Sequence, residues 1–112
     1  MSSNHNVVEI TDQQKFDFII QNYENRLIVV DFTASWCGPC KRIKPFFHEC
    51  SVKYKEKCLC LSVDVDKFPE LVKRYNIEAM PTFLCFMNKK KVHEIVGMDL
   101  QGLNKIFLQY SI

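Results

Sequence analysis

The chain has 112 residues, of which 47% are hydrophobic and 25% are charged, which suits one folded domain and excludes a disordered chain. Its formal net charge of +2 is too small to predict binding to nucleic acid or to a membrane surface. No apolar run could span a bilayer, and the opening MSSNHNVVEI lacks the pattern of a secretory signal or transit peptide. We therefore expect a single cytoplasmic domain over residues 1–112.

The first part of the chain predicts two strands with a helix between them. Residues 7–10 have the pattern of a short strand. Thr11 then begins a capping-box pattern in which Gln14 is placed to reach back to it, so a helix is expected to start there. Residues 27–32, LIVVDF, form a branched apolar run typical of a strand buried on both faces. The helix should bury residues that recur at helical spacing, namely Phe16, Ile19, Ile20 and Tyr23.

A long amphipathic helix is predicted over residues 37–54, directly after the sequence SWCGPC. Pro45 lies inside this helix and has no N–H to donate to the carbonyl of Lys41, so a kink is expected there. Residues 58–65 predict another strand. The inward side of the helix is formed by Ile43, Phe46, Phe47 and Cys50.

The last third of the chain predicts a helix, a hairpin and a final helix. Pro69 suits the first turn of the third helix. Residues 82–87 and 92–96 predict strands joined by a short turn around residues 88–90, and such a short connection implies an antiparallel pair. Asp99 is placed to cap the final helix. The order β-α-β-α-β-α-β-β-α predicts an α/β protein with a mixed sheet covered on both faces. The apolar side of the final helix comprises Leu100, Leu103, Phe107 and Leu108.

The two thiols of SWCGPC could bind a metal, form a structural staple, or make and break a disulfide. A thiol attacks a disulfide only as the thiolate. Cys37 falls at a strand-to-helix junction, where unpaired N–H groups and the helix dipole stabilise an anion. Cys40 lies one turn further on the same side and should be less exposed. Gly38 permits close approach of a substrate backbone, and Pro39 fits the first helical turn. The pattern therefore favours Cys37 as the attacking thiol and Cys40 as the resolving thiol.

Together, WCGPC after an apolar strand, KPFF, VDVD and MPTF resemble the thioredoxin family, in particular its cytosolic eukaryotic members. The resemblance covers nearly the whole chain and implies the thioredoxin fold, a central five-stranded mixed sheet flanked by four helices. It implies a protein disulfide reductase and electron carrier in cell redox homeostasis, with no bound cofactor and a monomeric state. Thioredoxin reductase, which uses NADPH, would recycle the Cys37–Cys40 disulfide. The implied substrates are disulfide-containing proteins of the peroxiredoxin, ribonucleotide reductase or methionine sulfoxide reductase type.

The resemblance also assigns roles to residues outside the two thiols. Asp31 would lie buried beneath them with a raised pKa and accept the proton of Cys40, although its position alone also suits an exposed strand end. The Met80–Pro81 bond would be cis, and the backbone of Met80 would pair with an extended substrate segment. The substrate surface would further include Trp36, Gly38, Pro39 and Gly97.

Three positions depart from the family pattern. Ser62 stands where some members carry a charged side chain opposite the buried aspartate. Lys89 replaces the usual glycine of the hairpin turn, so the turn geometry is open. Ala79 replaces a cysteine that links two chains in some animal members, which removes that route to a dimer.

Three other classes of protein compete with a disulfide reductase. A zinc module would use the pair Cys37 and Cys40 with Cys58 and Cys60, but the second pair lacks the two-residue spacer of a zinc knuckle. A binding adaptor could keep the fold without turnover, but here both thiols are present. An oxidase or isomerase would share the fold, but the Gly-Pro dipeptide and the missing signal peptide favour a reductant. The remaining cysteines, Cys50, Cys58, Cys60 and Cys85, fall at apolar positions and are expected to be buried hydrophobes, with regulatory oxidation as the alternative.

Overall fold

Strands and helices alternate along the chain in the predicted order. A computed structural model describes residues 5–112, in which five strands and four helices are present. The strand predicted at residues 92–96 begins two residues earlier, at Lys90. The elements are β1 (Val8–Glu9), α1 (Gln13–Asn22), β2 (Leu27–Thr33), α2 (Gly38–Lys53), β3 (Cys58–Asp64), α3 (Pro69–Arg74), β4 (Thr82–Met87), β5 (Lys90–Val96) and α4 (Leu100–Tyr110).

One sheet joins all five strands in the order β1-β3-β2-β4-β5. The central strand β2 is parallel to β3 and antiparallel to β4, and β4 and β5 form the predicted antiparallel pair. Six of the seven residues of β2 are buried, because the strand has neighbours at both edges and helices on both faces. The predicted five-stranded mixed sheet with four helices is confirmed. The SWCGPC sequence follows closely after the central strand β2.

The core has two parts because successive side chains of a strand point to opposite faces of the sheet. On one face, Val30 and Phe32 pack in a cluster with residues of α1 and α3. On the other face, Phe47 of α2 packs against Phe83 of β4 and Phe107 of α4, with ring centroids 5.2 Å and 6.4 Å apart. Within residues 5–112, no helix combines the length and apolar character needed to cross a membrane.

Helix α1 begins one residue later than the capping box predicts. Asp12, rather than Thr11, is the N-cap, and its Oδ1 accepts a hydrogen bond of 2.7 Å from the N–H of Gln14. Carboxylates cap helices at least as well as threonine, so the adjacent aspartate takes the position. The prediction that Tyr23 is buried is wrong, because the helix has ended at Asn22 and the ring is 37% exposed.

The apolar side of α4 is also rotated relative to the prediction. Asp99 caps the helix as expected, accepting a hydrogen bond from the N–H of Gly102. The buried residues are Leu103, Ile106 and Phe107, which follow the i, i+3, i+4 rule of a helix face. Leu100 and Leu108, predicted to be inside, are 40% and 50% exposed.

The hairpin between β4 and β5 turns through two residues in the left-handed region. Asn88 has a φ of 51° and Lys89 a φ of 76°, which is the backbone of a type I′ turn. Glycine is favoured there because a Cβ atom meets the following carbonyl oxygen. Lys89 is therefore held in a strained conformation, in a turn where glycine would be unstrained.

Lys89→Gly is expected to raise the free energy of unfolding by about 0.5–1 kcal/mol, because it relieves the left-handed strain at a modest cost in chain entropy. The lost ion pair with Glu24 matters little, since it is 3.9 Å long and at least half exposed. Urea denaturation would measure the change. Lys90→Gly is the control, because it places glycine at the first residue of β5, where the backbone needs no positive φ, and should destabilise the protein. A loss of stability in Lys89→Gly would contradict the strain argument.

Candidate active site

Cys37 lies where β2 ends and α2 begins, as the N-cap of that helix. Its Sγ accepts a hydrogen bond of 3.2 Å from the N–H of Cys40, one of the N–H groups that a helix leaves unpaired at its start. Pro39 occupies the first turn, where its missing N–H costs nothing. At Gly38, an added Cβ would come 3.4 Å from the guanidinium of Arg42. The helix start therefore offers an unpaired N–H group to the sulfur.

Cys37 and Cys40 are joined by a disulfide bond, with a Cα–Cα distance of 5.3 Å. That distance lies within the usual range for disulfides. Cys37 is 5% exposed and Cys40 is 1% exposed, so the predicted order of accessibility is confirmed. An incoming thiolate or disulfide can therefore approach Cys37 more readily than Cys40.

The segment before β4 meets the disulfide, and the segment after β5 pairs with that segment. The Met80–Pro81 bond is cis, and the carbonyl oxygen of Met80 lies 3.6 Å from the Sγ of Cys37. Gly97 has a φ of 86° and donates a backbone hydrogen bond of 2.7 Å to the carbonyl of Pro81. The fold thus places Met80 against the Cys37 sulfur and pairs Gly97 with the adjacent Pro81.

Trp36 presents an apolar ring to solvent beside the disulfide. The side chain is 65% exposed, which is unusual for tryptophan. Its Nε1 donates a hydrogen bond of 2.9 Å to Oδ2 of Asp66, and the backbone of Asp66 is held in turn by the carboxylate of Asp64. Sequence analysis missed this role of Asp66, because the VDVD motif shows two acidic residues but not which indole they face.

Asp31 is buried at the centre of the sheet, with 2% of its surface exposed. Burial raises the pKa of Asp31 to about 7, and the positive charge of Lys44 partly opposes this rise. Among the described residues, its Oδ1 has no hydrogen-bond partner. The strand register sets Asp31 opposite Ser62, so the neighbour on β3 is uncharged, as the sequence indicates. The reading of Asp31 as an exposed strand end is therefore wrong.

Two adjoining clefts reach Asp31 and Cys40 from the same side of the molecule. The cleft that includes Asp31 has a volume of about 190 Å³, and the cleft that includes Cys40 has about 270 Å³. Both are lined by Glu9, Lys44 and Ser62. Sequence analysis did not single out Lys44, although its position four residues after Cys40 places both on one side of α2. The cleft beside the Asp31 carboxyl group and the cleft beside Cys40 therefore have three polar lining residues in common.

The other four cysteines are free thiols buried in the core, as predicted. Burial raises the pKa of Cys50 and Cys58 to about 11, that of Cys85 to about 12, and that of Cys60 well above the usual value. They therefore stay protonated and weakly nucleophilic at neutral pH. All four pack in the cluster under α2 and α4, whereas Cys37 and Cys40 pack in the cluster on the other face. The four thiols of the zinc alternative do not converge.

Known proteins carry the same sequence pattern and fold over nearly the whole chain. The thioredoxin family model matches residues 6–108. The chain belongs to the thioredoxin family. It is 42% identical to thioredoxin 1 of Plasmodium falciparum over 102 residues, which cover 91% of this chain and 95% of that protein. The crystal structure of a thioredoxin from Nicotiana alata superposes with a TM-score of 0.90 and 32% identity, covering 98% of this chain and 96% of that one.

A second similar structure concerns the thiol resolving mechanism of a yeast mitochondrial 1-Cys peroxiredoxin through the glutathione and thioredoxin systems. Its matching chain superposes with a TM-score of 0.85 and 29% identity, over 96% of this chain and 99% of that one. As a thioredoxin, the chain is a thiol–disulfide oxidoreductase that reduces protein disulfides. Its Cys37–Cys40 pair stands at the active-site position of the family.

Proposed function

We propose that Cys37 attacks the substrate disulfide and that Cys40 resolves the resulting mixed disulfide between Cys37 and the substrate. The Cys37 thiolate forms a bond to one substrate sulfur, and the other substrate sulfur leaves as a thiolate. Deprotonated Cys40 then attacks Cys37, which forms the Cys37–Cys40 disulfide and releases the second substrate sulfur with its electron pair. The protein is oxidised by two electrons and the substrate is reduced by two. The position of Cys37 Sγ at the helix N-terminus, bonded to the less exposed Cys40, carries this assignment.

Asp31 is the proposed acceptor of the Cys40 proton. Cys40 must lose its proton before it can attack, and a base with a pKa near the working pH is the most effective. The pKa of Asp31, raised to about 7 by burial, meets that condition. The adjoining clefts that reach Asp31 and Cys40 support the role, with any remaining gap bridged by water.

The proposed substrate surface surrounds Cys37. An extended substrate segment would pair with the backbone of Met80, as an added strand does, because the Met80 carbonyl already faces the reactive sulfur. The exposed ring of Trp36 would contact the substrate on one side, and the Pro81–Gly97 backbone pair would shape the other. Gly38 and Pro39 leave the helix start free of bulky side chains.

The proposed partners follow from this chemistry. An NADPH-dependent thioredoxin reductase would return electrons to the Cys37–Cys40 disulfide. Disulfides of peroxiredoxins are one suitable substrate class, which the similarity to the yeast structure supports. Ribonucleotide reductase and methionine sulfoxide reductase types are further candidates. The chain would work as a single cytoplasmic domain and as a monomer, since Ala79 offers no thiol for a link between chains.

NADPH oxidation with thioredoxin reductase and insulin tests the proposal directly. The native protein should sustain NADPH consumption, because each turnover regenerates the dithiol. Cys40→Ser should abolish it and should accumulate a mixed disulfide through Cys37, detectable by mass spectrometry. Cys85→Ala is the matched control, since this buried thiol lies outside the site and its loss should leave turnover intact.

Two results would reject the assignment. If the native protein consumes no NADPH with the reductase, and either zinc is bound or Cys37 is unreactive, the chain is a binding or metal module of thioredoxin shape. If Cys40→Ser turns over as fast as the native protein, Cys40 is not the resolving thiol.

A further inference from the structure

The segment that precedes β1 lines the cleft that reaches Asp31. The rings of His5 and His48 stack with centroids 3.7 Å apart. The N–H of Asn6 donates a hydrogen bond of 2.9 Å to Oγ of Ser51, a buried side chain of α2. The N–H of Val7 donates to Nδ1 of His5 over 3.0 Å. These contacts fix the segment on α2 and place both imidazole rings in the lining of the cleft.

The interior of the cleft is polar and is large enough for water. Its volume of about 190 Å³ exceeds several times the roughly 30 Å³ that one water molecule occupies in the liquid. Asp31 lies on its wall, and Oδ1 of this carboxyl group has no hydrogen-bond partner among the described residues. His48 lies on the same wall and is only half-buried. His48 therefore lines the same cleft as the buried carboxyl group and is itself partly open to solvent.

Four of the five segments that border the cleft contribute charged or titratable groups. They are His5 of the preceding segment, Glu9 of β1, Asp31 of β2, and Lys44 and His48 of α2, while β3 contributes only the neutral Ser62. Burial lowers the pKa of His48, and the nearby His5 and Lys44 lower it further. These effects favour the neutral form of His48, which can accept a proton.

We propose that this cleft is the path by which Asp31 exchanges protons with solvent, and that His48 is the residue that relays them. The inference rests on the proposed role of Asp31 as the acceptor of the Cys40 proton. Lys44 lines the same path. As a cation, however, it repels a migrating proton and has no lone pair with which to accept one. In this proposal His48 acts only through Asp31, by passing its proton to solvent, and does not contact the substrate or the reacting sulfur atoms. It is therefore a positioning residue and not a catalytic one.

The proton balance of the step is simple. A proton on Asp31 passes through water in the cleft to the free nitrogen of the His48 imidazole, and the opposite nitrogen releases a proton to solvent. Asp31 is left ionised and can take the proton of Cys40 when that thiol attacks the mixed disulfide. No bond other than O–H, N–H and S–H changes in the relay, and the substrate disulfide remains the only oxidant.

The test exploits the titration of Asp31. At pH 6.5, below the pKa of about 7 to which burial raises Asp31, much of the protein carries a protonated Asp31, so resolution must wait for its proton to leave. At pH 8.5 Asp31 is already ionised and a single turnover needs no relay. Stopped-flow reaction of the reduced protein with 5,5′-dithiobis(2-nitrobenzoic acid), in dilute buffer, reports resolution as release of the second thionitrobenzoate. The variants are His48→Ala, Asp31→Asn, and His93→Ala as the control, whose imidazole pairs with Tyr110 away from the cleft.

His48→Ala should slow resolution about tenfold at pH 6.5, below the roughly 10²–10⁴-fold effect of a group that transfers the proton directly. It should leave the rate at pH 8.5 unchanged, and added imidazole should restore the rate at pH 6.5. His93→Ala should match the native protein at both pH values. Asp31→Asn should be slow at both, because its acceptor is lost whatever the pH.

The possible failures separate the relay from the role of Asp31. An unchanged rate in His48→Ala at pH 6.5, while Asp31→Asn is slow, would overturn the relay and keep the role of Asp31. Equal slowing of His48→Ala at both pH values, or no recovery with imidazole, would show a purely structural role and also overturn it. An unchanged rate in Asp31→Asn would overturn the proposed acceptor and the relay together.

Discussion

Asp31→Asn is expected to raise the free energy of unfolding by roughly 4 kcal/mol at pH 8, and by less than about 1 kcal/mol at pH 4. In the folded protein, burial raises the pKa of Asp31 from 3.8 to about 7. The unfolded chain releases this proton near the ordinary pKa of aspartate. Between the two pKa values the folded state holds a proton that the unfolded state has lost, so the native protein loses stability as the pH rises from about 4 to 7. Asparagine does not titrate and removes that loss.

Urea denaturation of both proteins from pH 4 to pH 8 measures the difference. The native protein should lose stability through this interval relative to Asp31→Asn, and the gap should stop growing above pH 7. Glu78→Gln is the control, because Glu78 is exposed and should leave the pH dependence unchanged. A constant gap between native and Asp31→Asn across the whole pH range would show that Asp31 does not titrate with a raised pKa in the folded state.

The same substitution is expected to stabilise the protein and to slow resolution. A buried carboxyl group whose Oδ1 has no hydrogen-bond partner lowers the stability of the folded protein. Its retention is explained if the site needs a base that is protonated and deprotonated near neutral pH. Stability and function therefore place opposite demands on Asp31, and a rise in stability without any loss of resolution rate would remove the functional explanation.

Much of this structure could be predicted from the sequence because the signals are local. The apolar run LIVVDF sets the central strand, and the Gly-Pro dipeptide with its two cysteines sets the start of α2. The antiparallel hairpin follows from the short connection between two apolar runs. Where local signals compete, the prediction fails by a residue or a turn, as at Thr11 and Asp12, where both side chains can cap and the aspartate does so.

The contacts that complete the site depend on tertiary packing and could not be predicted. Asp66 is 30 residues from the indole that it holds. His48 meets His5 only because the segment before β1 crosses α2. Lys44 had a usable signal, since it follows Cys40 by one helical turn, but its approach to Asp31 requires the packing of α2 on β2. Resemblance to the family supplied the expectation for Asp31 and Pro81, which spacing alone left open.

Phe47→Ala is expected to lower the free energy of unfolding by about 3–5 kcal/mol at pH 4, as is usual when a buried phenylalanine is truncated. Phe47 is 1% exposed and joins α2 to the sheet and to α4 through Phe83 and Phe107. Removing its ring leaves a cavity among rigid partners that cannot close around it. Urea denaturation measures the loss. Phe18→Ala is the matched control, because this ring is 61% exposed and its removal should change stability by less than about 0.5 kcal/mol.

The cost of Phe47→Ala should be smaller at pH 8 than at pH 4, because Phe47 also lines the cleft that reaches Asp31. With the ring gone, water gains access to the carboxyl group, and the desolvation that raises the pKa of Asp31 is partly relieved. Part of the packing loss is then offset wherever Asp31 is ionised. In the Asp31→Asn background that offset cannot occur, so Phe47→Ala should cost the same at both pH values. An equal cost at both pH values in the native background would mean that the ring does not control the hydration of Asp31.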